Sequence, residues 1–199
     1  MTGLFKPMNP PLTDWAGKVV WIVGASTGIG RAVAEQLAQR GARVMVSARQ
    51  ADVLQQFVAA HPGTAAYPLD VTDLSALQDA TQAIVAHASR LDVVLFAAGI
   101  YKPLRAQQFD LARMRQHLDV NVVGAYNLVD ATLPTLRQQG FGHISFISSV
   151  AGFRGLPNSL AYGPTKAALT HFAEVLHYDL ARDGLGISAI HPGFVQTPL

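Results

Sequence analysis

The stretch VVWIVGASTGIGRAVAEQLAQR, residues 19–40, decides the fold. Its first five residues, Val19–Val23, are an uninterrupted β-branched and aromatic run, which reads as a strand buried on both faces. Gly24, Gly28 and Gly30 then turn the chain, and Ile29–Arg40 carries apolar residues at helical spacing. Strand, glycine turn and helix in that order put backbone N–H groups at a helix N-terminus, where an anion is favoured. Glycine permits both the abrupt turn and a ligand's close approach. Three glycines alone are a weak sign, because glycines also end strands. Between a strand and an amphipathic stretch they point to a pyrophosphate, with Ser26, Thr27 and Ile29 as further contacts.

Working outward, Arg43–Ala48, Ala65–Leu69, Val93–Phe96, His143–Ser148 and Gly186–Ile190 read as further short buried strands. Ala51–Ala60, Leu74–Ala88, a long stretch over Phe109–Gln138, and Tyr162–Arg182 read as helices. Pro134 is expected to bend or end the long one. This alternation predicts an α/β fold: a doubly wound parallel sheet of six strands in a three-layer α/β/α arrangement. Residues 1–16 read as an extended lead-in and residues 17–199 as a single domain, since 199 residues suit one substantial core and are few for two.

Composition narrows the function. Half the residues are hydrophobic and 14% are charged, which fits a well-buried globular protein. There is no cysteine, so no disulfide framework or thiolate chemistry is expected. The seven histidines show no paired ligand spacing, so no metal site is expected. The formal net charge is +2, without a Lys/Arg run, which argues against a nucleic-acid partner. No apolar stretch approaches the roughly 20 residues that span a bilayer, and the N-terminus lacks an apolar signal core. The expectation is a cytoplasmic protein acting on a small molecule, away from membranes.

In doubly wound sheets the ligand lies outside the carboxyl ends of the strands. Gly24, Arg49, Asp70, Gly99, Ser149 and the pair Pro192-Gly193 follow the six strands in turn. About 20 residues past the glycine turn an acid would serve the ribose of NAD. Val46-Ser47-Ala48-Arg49 has none, and an arginine there suits a 2′-phosphate through charge-assisted hydrogen bonds. Arg31 would add a second positive charge. NADP(H) is therefore expected over NAD(H), with NAD still possible; the alternative is that Arg49 is a solvated strand-end residue. Asp70 is placed to meet the adenine amino group, while Thr72 or Asp73 caps the next helix.

Of the five tyrosines, only Tyr162 has a lysine four residues on, Lys166, and Ser149 stands thirteen residues before it. On a helix that spacing puts Tyr162 and Lys166 on one face. A free tyrosine has a pKa of about 10. A neighbouring ammonium is expected to favour the phenolate, and Ser149 can donate to a substrate oxygen. Pro164 is tolerated only in a first turn, so the helix should start close to Tyr162.

Gly24–Gly30, Asp70-Val71, Ala98-Gly99, Asn121, Ser148–Gly152, Tyr162–Lys166 and Pro192–Thr197 together resemble the short-chain dehydrogenase/reductase family, from about Gly17 to the end of the chain. The resemblance implies a Rossmann-type fold and NAD(P)-dependent interconversion of a carbonyl and a secondary alcohol. It implies Tyr162 as general acid/base, Ser149 holding the substrate oxygen, Lys166 on the nicotinamide ribose and Asn121 in a proton relay through water. It also implies cofactor contacts from Val71, Ala98, Val195 and Thr197, and a homodimer or homotetramer through the two long helices. Asn121 has a plainer reading, a polar kink in a helix.

Three departures stand out. Val23 and Ala97 occupy positions that are usually threonine and asparagine, and are expected to be partners across neighbouring strand ends. The chain also stops at Leu199, where the family usually continues into a substrate cover and a seventh strand; a shortened sequence is the expectation. Leu169, Phe172 and Leu176 form a core or subunit-contact stripe. Tyr101, Phe153, Arg154, Leu156, Pro157 and Asn158 lie on loops near the crevice, where substrate contact and ordinary packing are both open. The main alternative function is a non-catalytic NADP(H)-binding module; an epimerase or dehydratase fits less well for lack of a substrate domain.

Overall fold

Val19–Val23 forms strand β1, and none of its five side chains is exposed beyond 1%. Burying each large apolar side chain is worth about 1.5–3 kcal/mol, so a strand with no solvent face belongs at the sheet centre. The computed structural model, which describes residue 9 and residues 11–197, places it there. The remaining strands are β2 (Arg43–Ser47), β3 (Ala65–Ala66), β4 (Val93–Phe96), β5 (Gly142–Ile147) and β6 (Leu185–Ile190). They pair in parallel in the order β3-β2-β1-β4-β5-β6. The helices are α1 (Gly28–Gln39), α2 (Ala51–Ala60), α3 (Leu74–Ala88), α4 (Leu111–Leu118), α5 (Gly124–Gln139) and α6 (Tyr162–Leu180). No described helix is long and apolar enough to cross a membrane.

Strand alternation splits the core into two layers. Val19, Trp21 and Val23 join Phe96, Phe146, Leu128 and Leu169 on one face, against α3, α5 and α6. Val20 and Ile22 join Val44, Leu95, Leu37 and Phe57 on the other, against α1 and α2. Leu169 is core, with Phe172 and Leu176 partly buried against it, so this stripe is core packing. Two buried polar groups are paired through the core: Trp21 Nε1 donates to Ser47 Oγ at 2.9 Å, and the Asp92 carboxylate accepts the Val19 N–H at 3.0 Å.

Several boundaries differ from the sequence reading. The third strand was expected over Ala65–Leu69 but pairs regularly only at Ala65–Ala66, since Pro68 brings no N–H to the ladder. The chain still runs beside β2, with the Tyr67 and Leu69 N–H groups donating to Val46 and Ala48 carbonyls. The long helix expected over Phe109–Gln138 is interrupted. Asp110 caps α4 by accepting the Arg113 N–H, and a π-turn at Asp119–Val123 separates α4 from α5. Pro134 does not end α5, which continues to Gln139 and stops at Gly140 in a left-handed conformation. The last helix gives way after Leu180 to a 3₁₀ turn over Ala181–Asp183. Of the expected lead-in, residues 1–8 and 10 lie outside the described residues, and residues 11–15 have no regular structure.

Candidate active site

The chain order reverses between β1 and β4, and the carboxyl ends of the strands open there into one cavity of about 680 Å³. At its nucleotide end the turn after β1 leaves no room for a side chain at Gly24 or Gly30. A Cβ at Gly24, whose φ is +100°, would lie 2.3 Å from the Ala98 nitrogen. One at Gly30 would lie 2.2 Å from the Gly24 carbonyl oxygen. Thr27 precedes α1 without making a side-chain cap, and the first turn of α1 holds no acid. Ser26, Thr27, Gly28, Ile29 and Gly30 all line the cavity, so the uncapped, positive end of a helix faces it. These features suit the phosphates of a dinucleotide.

Arg49, exposed at the end of β2, lines the same cavity, as do Asp70, Val71, Ala98 and Gly99. Asp70 Oδ1 accepts both the N–H and the hydroxyl of Thr72, while Asp73 is the residue that caps α3. The Ala76 N–H, followed by the Ser75 hydroxyl, holds the Asp73 carboxyl below its usual pKa. Arg31 does not join the cavity: its guanidinium pairs with Glu35 at 2.6 Å and lies over the Phe57 ring. One helical turn separates Arg31 from Glu35, and that local ion pair displaces the expected second charge. Pro192, Gly193, Val195 and Thr197 also line the cavity, with Thr197 beside Gly28.

At the other end α6 begins at Tyr162, as Pro164 requires. Lys166 lies one turn on, 4% exposed, and its ammonium donates to the Ile147 carbonyl at 2.7 Å. Burial pushes its pKa down to about 8. Lys166 Nζ is 5.4 Å from the centroid of the Tyr162 ring. The Tyr162 pKa is nonetheless raised: burial is the largest cause, the Ser149 hydroxyl opposes it, and Tyr101 adds to it. The neighbouring ammonium is expected to favour the phenolate, but burial is the larger effect on Tyr162 and raises its pKa. Both groups are buried together, and desolvation disfavours the charged form of each. Ser149, which also lines the cavity, accepts the Ala151 N–H at 3.1 Å as it starts a 3₁₀ turn.

Asn121 lies behind the lining, in the π-turn, fully buried. Its amide donates to the Ile100 carbonyl at 3.1 Å and to Thr165 Oγ1 at 3.0 Å, and its oxygen accepts the Ile100 N–H at 2.8 Å. A polar kink is thus what the backbone makes there. Its oxygen and Lys166 Nζ both stand close to Gly99, at 3.4 and 3.6 Å from where a Cβ would be. His117 and Thr165 escaped the sequence reading. His117 is fully buried; Nδ1 meets the Arg113 carbonyl at 2.7 Å and Nε2 accepts the Lys102 N–H at 3.1 Å. Its spacing of four from Asn121 was the available signal.

Residues 23 and 97 are neighbours, but not as expected. The Ala97 N–H donates to the Val23 carbonyl at 2.7 Å, while their side chains enter opposite core layers. They are backbone partners, because successive strand residues alternate between faces. Of the loop residues, Tyr101, Leu156, Pro157 and Asn158 line the cavity. Phe153 and Arg154 do not; Phe153 stacks on His191 instead.

Comparison with known proteins agrees with this geometry. The family model for short chain dehydrogenases matches residues 18–199. An uncharacterized oxidoreductase of Staphylococcus epidermidis is 35% identical over 184 residues, covering 92% of this chain and 80% of the relative. A short-chain dehydrogenase structure from Streptomyces avermitilis is similar with a TM-score of 0.85 and 33% identity, over 91% of this chain and 67% of the other. ElxO with NADP bound is similar with a TM-score of 0.87 and 27% identity, over 91% and 75%.

Proposed function

Since this chain belongs to the short-chain dehydrogenase family, we propose that it is an NADP(H)-dependent oxidoreductase interconverting a carbonyl and a secondary alcohol, with Tyr162 as the general acid/base. The observation that carries this reading is the meeting of Ser149, Tyr162 and Lys166 at one end of a cavity whose other end is the glycine turn at α1. Residues 17–199 act as one domain in it.

The α1 N-terminus would hold the pyrophosphate, Arg49 the 2′-phosphate, Asp70 the adenine edge and Lys166 the nicotinamide ribose. NADP(H) supplies the hydride chemistry when bound. In reduction, Ser149 donates a hydrogen bond to the substrate's carbonyl oxygen and holds it near Tyr162. The Tyr162 hydroxyl gives its proton to that oxygen as negative charge develops there. A raised Tyr162 pKa keeps the phenol protonated near neutrality, as a proton donor must be. For oxidation Tyr162 must first lose its proton, which the Lys166 charge favours.

The test is NADPH oxidation against a panel of carbonyl compounds, with Tyr162→Phe alongside. Loss of the proton donor should lower turnover by about 10²–10⁴-fold, with NADPH affinity held within roughly threefold. A protein that binds NADPH but reduces no carbonyl would instead be a nucleotide-binding module. The same reading includes a homodimer or homotetramer through α5 and α6, whose exposed Tyr126, Val175 and Tyr178 would be covered; sedimentation would give the mass.

A further inference from the structure

Beyond Tyr162 the cavity has walls of its own. The Tyr101 ring packs edge-on against Tyr162, with centroids 5.2 Å apart and planes at 72°. Ile100, Leu156 and Pro157 line the same cavity. These residues come from two loops, 97–105 and 148–161, that are tied together. Leu104 and Ser159 form a β-bridge, and the Leu104 N–H donates to the Asn158 carbonyl at 2.9 Å. Arg105 Nε donates to Asn158 Oδ1 at 2.6 Å, and Asn158 sits at a φ of +63°.

Tyr101 is also fixed from behind. On one side Ile100 exchanges two hydrogen bonds with Asn121, and on the other the Lys102 N–H donates to His117 Nε2. Asn121 and His117 thus pin the backbone on both sides of Tyr101. Its ring is a wall set before a ligand arrives, which spares the ordering cost of binding.

Charge is scarce at this end. Arg49, Asp70 and Lys166 are the charged residues among the described lining. Arg49 and Asp70 follow β2 and β3 at the nucleotide end, and Lys166 Nζ donates to the Ile147 carbonyl and, under the proposed function, serves the nicotinamide ribose with its remaining donors. Nearby, Arg105 is held by Asn158 and Lys102 Nζ donates to Gln116. A carboxylate or phosphate on the substrate would lose water here with only neutral donors such as Ser149 to replace it.

We propose that Tyr101 is a specificity-determining residue: it walls an apolar subsite beside Tyr162 that selects uncharged carbonyl compounds bearing an aromatic or bulky apolar group. This rests on Tyr162 being the acid/base. An aromatic substituent would meet Tyr101 by edge or offset stacking, the geometry that ring quadrupoles favour.

Two measurements test it. The first compares kcat/KM with NADPH for an aryl alkyl ketone, a short aliphatic ketone and a 2-oxo acid. The wild type should prefer the aryl ketone and discriminate against the acid. Tyr101→Ala should lower the ratio of aryl to aliphatic ketone at least tenfold, and Tyr101→Phe, which keeps the ring, should restore it. The second measures binding of the aryl ketone by calorimetry to the NADPH complex of Tyr162→Phe, with and without Tyr101→Ala. Weakening of at least fivefold supports the subsite even if no ketone is turned over, in which case the catalytic reading alone fails. Unchanged affinity and an unchanged ratio, or a wild type that prefers the 2-oxo acid, overturns the subsite and leaves the catalytic reading standing.

Discussion

Replacing Lys166 with methionine removes the ammonium but keeps most of the side-chain volume. In the folded protein burial lowers the Lys166 pKa from 10.5 to about 8. Between those values the unfolded chain holds a proton that the folded chain has released. Stability therefore rises with pH across that window. Below about pH 8 the burial of the charge costs its full amount, about 3 kcal/mol for a shift of this size. Near pH 9.5 only about 1 kcal/mol of that cost is left. Lys166→Met abolishes this dependence. The Ile147 carbonyl loses its Lys166 donor, which costs about 1–3 kcal/mol, but that loss does not vary with pH. The expected outcome is a variant as stable as the wild type at pH 7, or more stable by up to about 2 kcal/mol. Raising the pH to 9.5 should then favour the wild type by about 2 kcal/mol relative to the variant. Urea unfolding without nucleotide, followed by far-UV circular dichroism at both pH values, measures it. Parallel pH dependence in the two proteins would refute the reasoning. Under the proposed function the same variant is expected to lose turnover, so a stabilised, inactive enzyme would be a stability–activity trade-off at one residue.

Three further outcomes follow from the packing. Gly30→Ala places a Cβ 2.2 Å from the Gly24 carbonyl oxygen, and should cost about 1–3 kcal/mol in urea unfolding as well as weakening nucleotide binding. Arg49→Ala should weaken NADPH binding about 10–100-fold, as the loss of a charged hydrogen bond implies, and leave NADH nearly unchanged; equal losses for both would remove the 2′-phosphate from the account. Asp92→Ala leaves the Val19 N–H without its acceptor and frees Lys18 and Arg90, so a loss of about 1–3 kcal/mol in thermal or urea unfolding is expected.

Much of the fold was legible because it rests on local pattern. Both-face burial wrote Val19–Val23 as an unbroken apolar run, and Pro164 set the start of α6 at Tyr162. The misread stretches are those where one residue's hydrogen bonding overrides the pattern. Pro68 cut β3 short, Asp110 moved the start of α4, and a π-turn split what looked like one long helix. The candidate site was legible as a set of strand ends. Its residues come together in one cavity, with Asn121 just behind it.

By itself the sequence determined the alternation of strands and helices, the glycine turn and the i, i+4 spacing of Tyr162 and Lys166. These are short-range properties, carried by backbone sterics and side-chain periodicity. Only the tertiary structure decided how those groups behave. Lys166 loses basicity because it is buried in the core of the fold, against a strand nineteen residues earlier in the chain whose Ile147 carbonyl accepts its hydrogen bond. Tyr101 faces Tyr162 because His117 and Asn121 pin its loop. Desolvation and loop position depend on which distant segments meet, and no local spacing encodes that meeting.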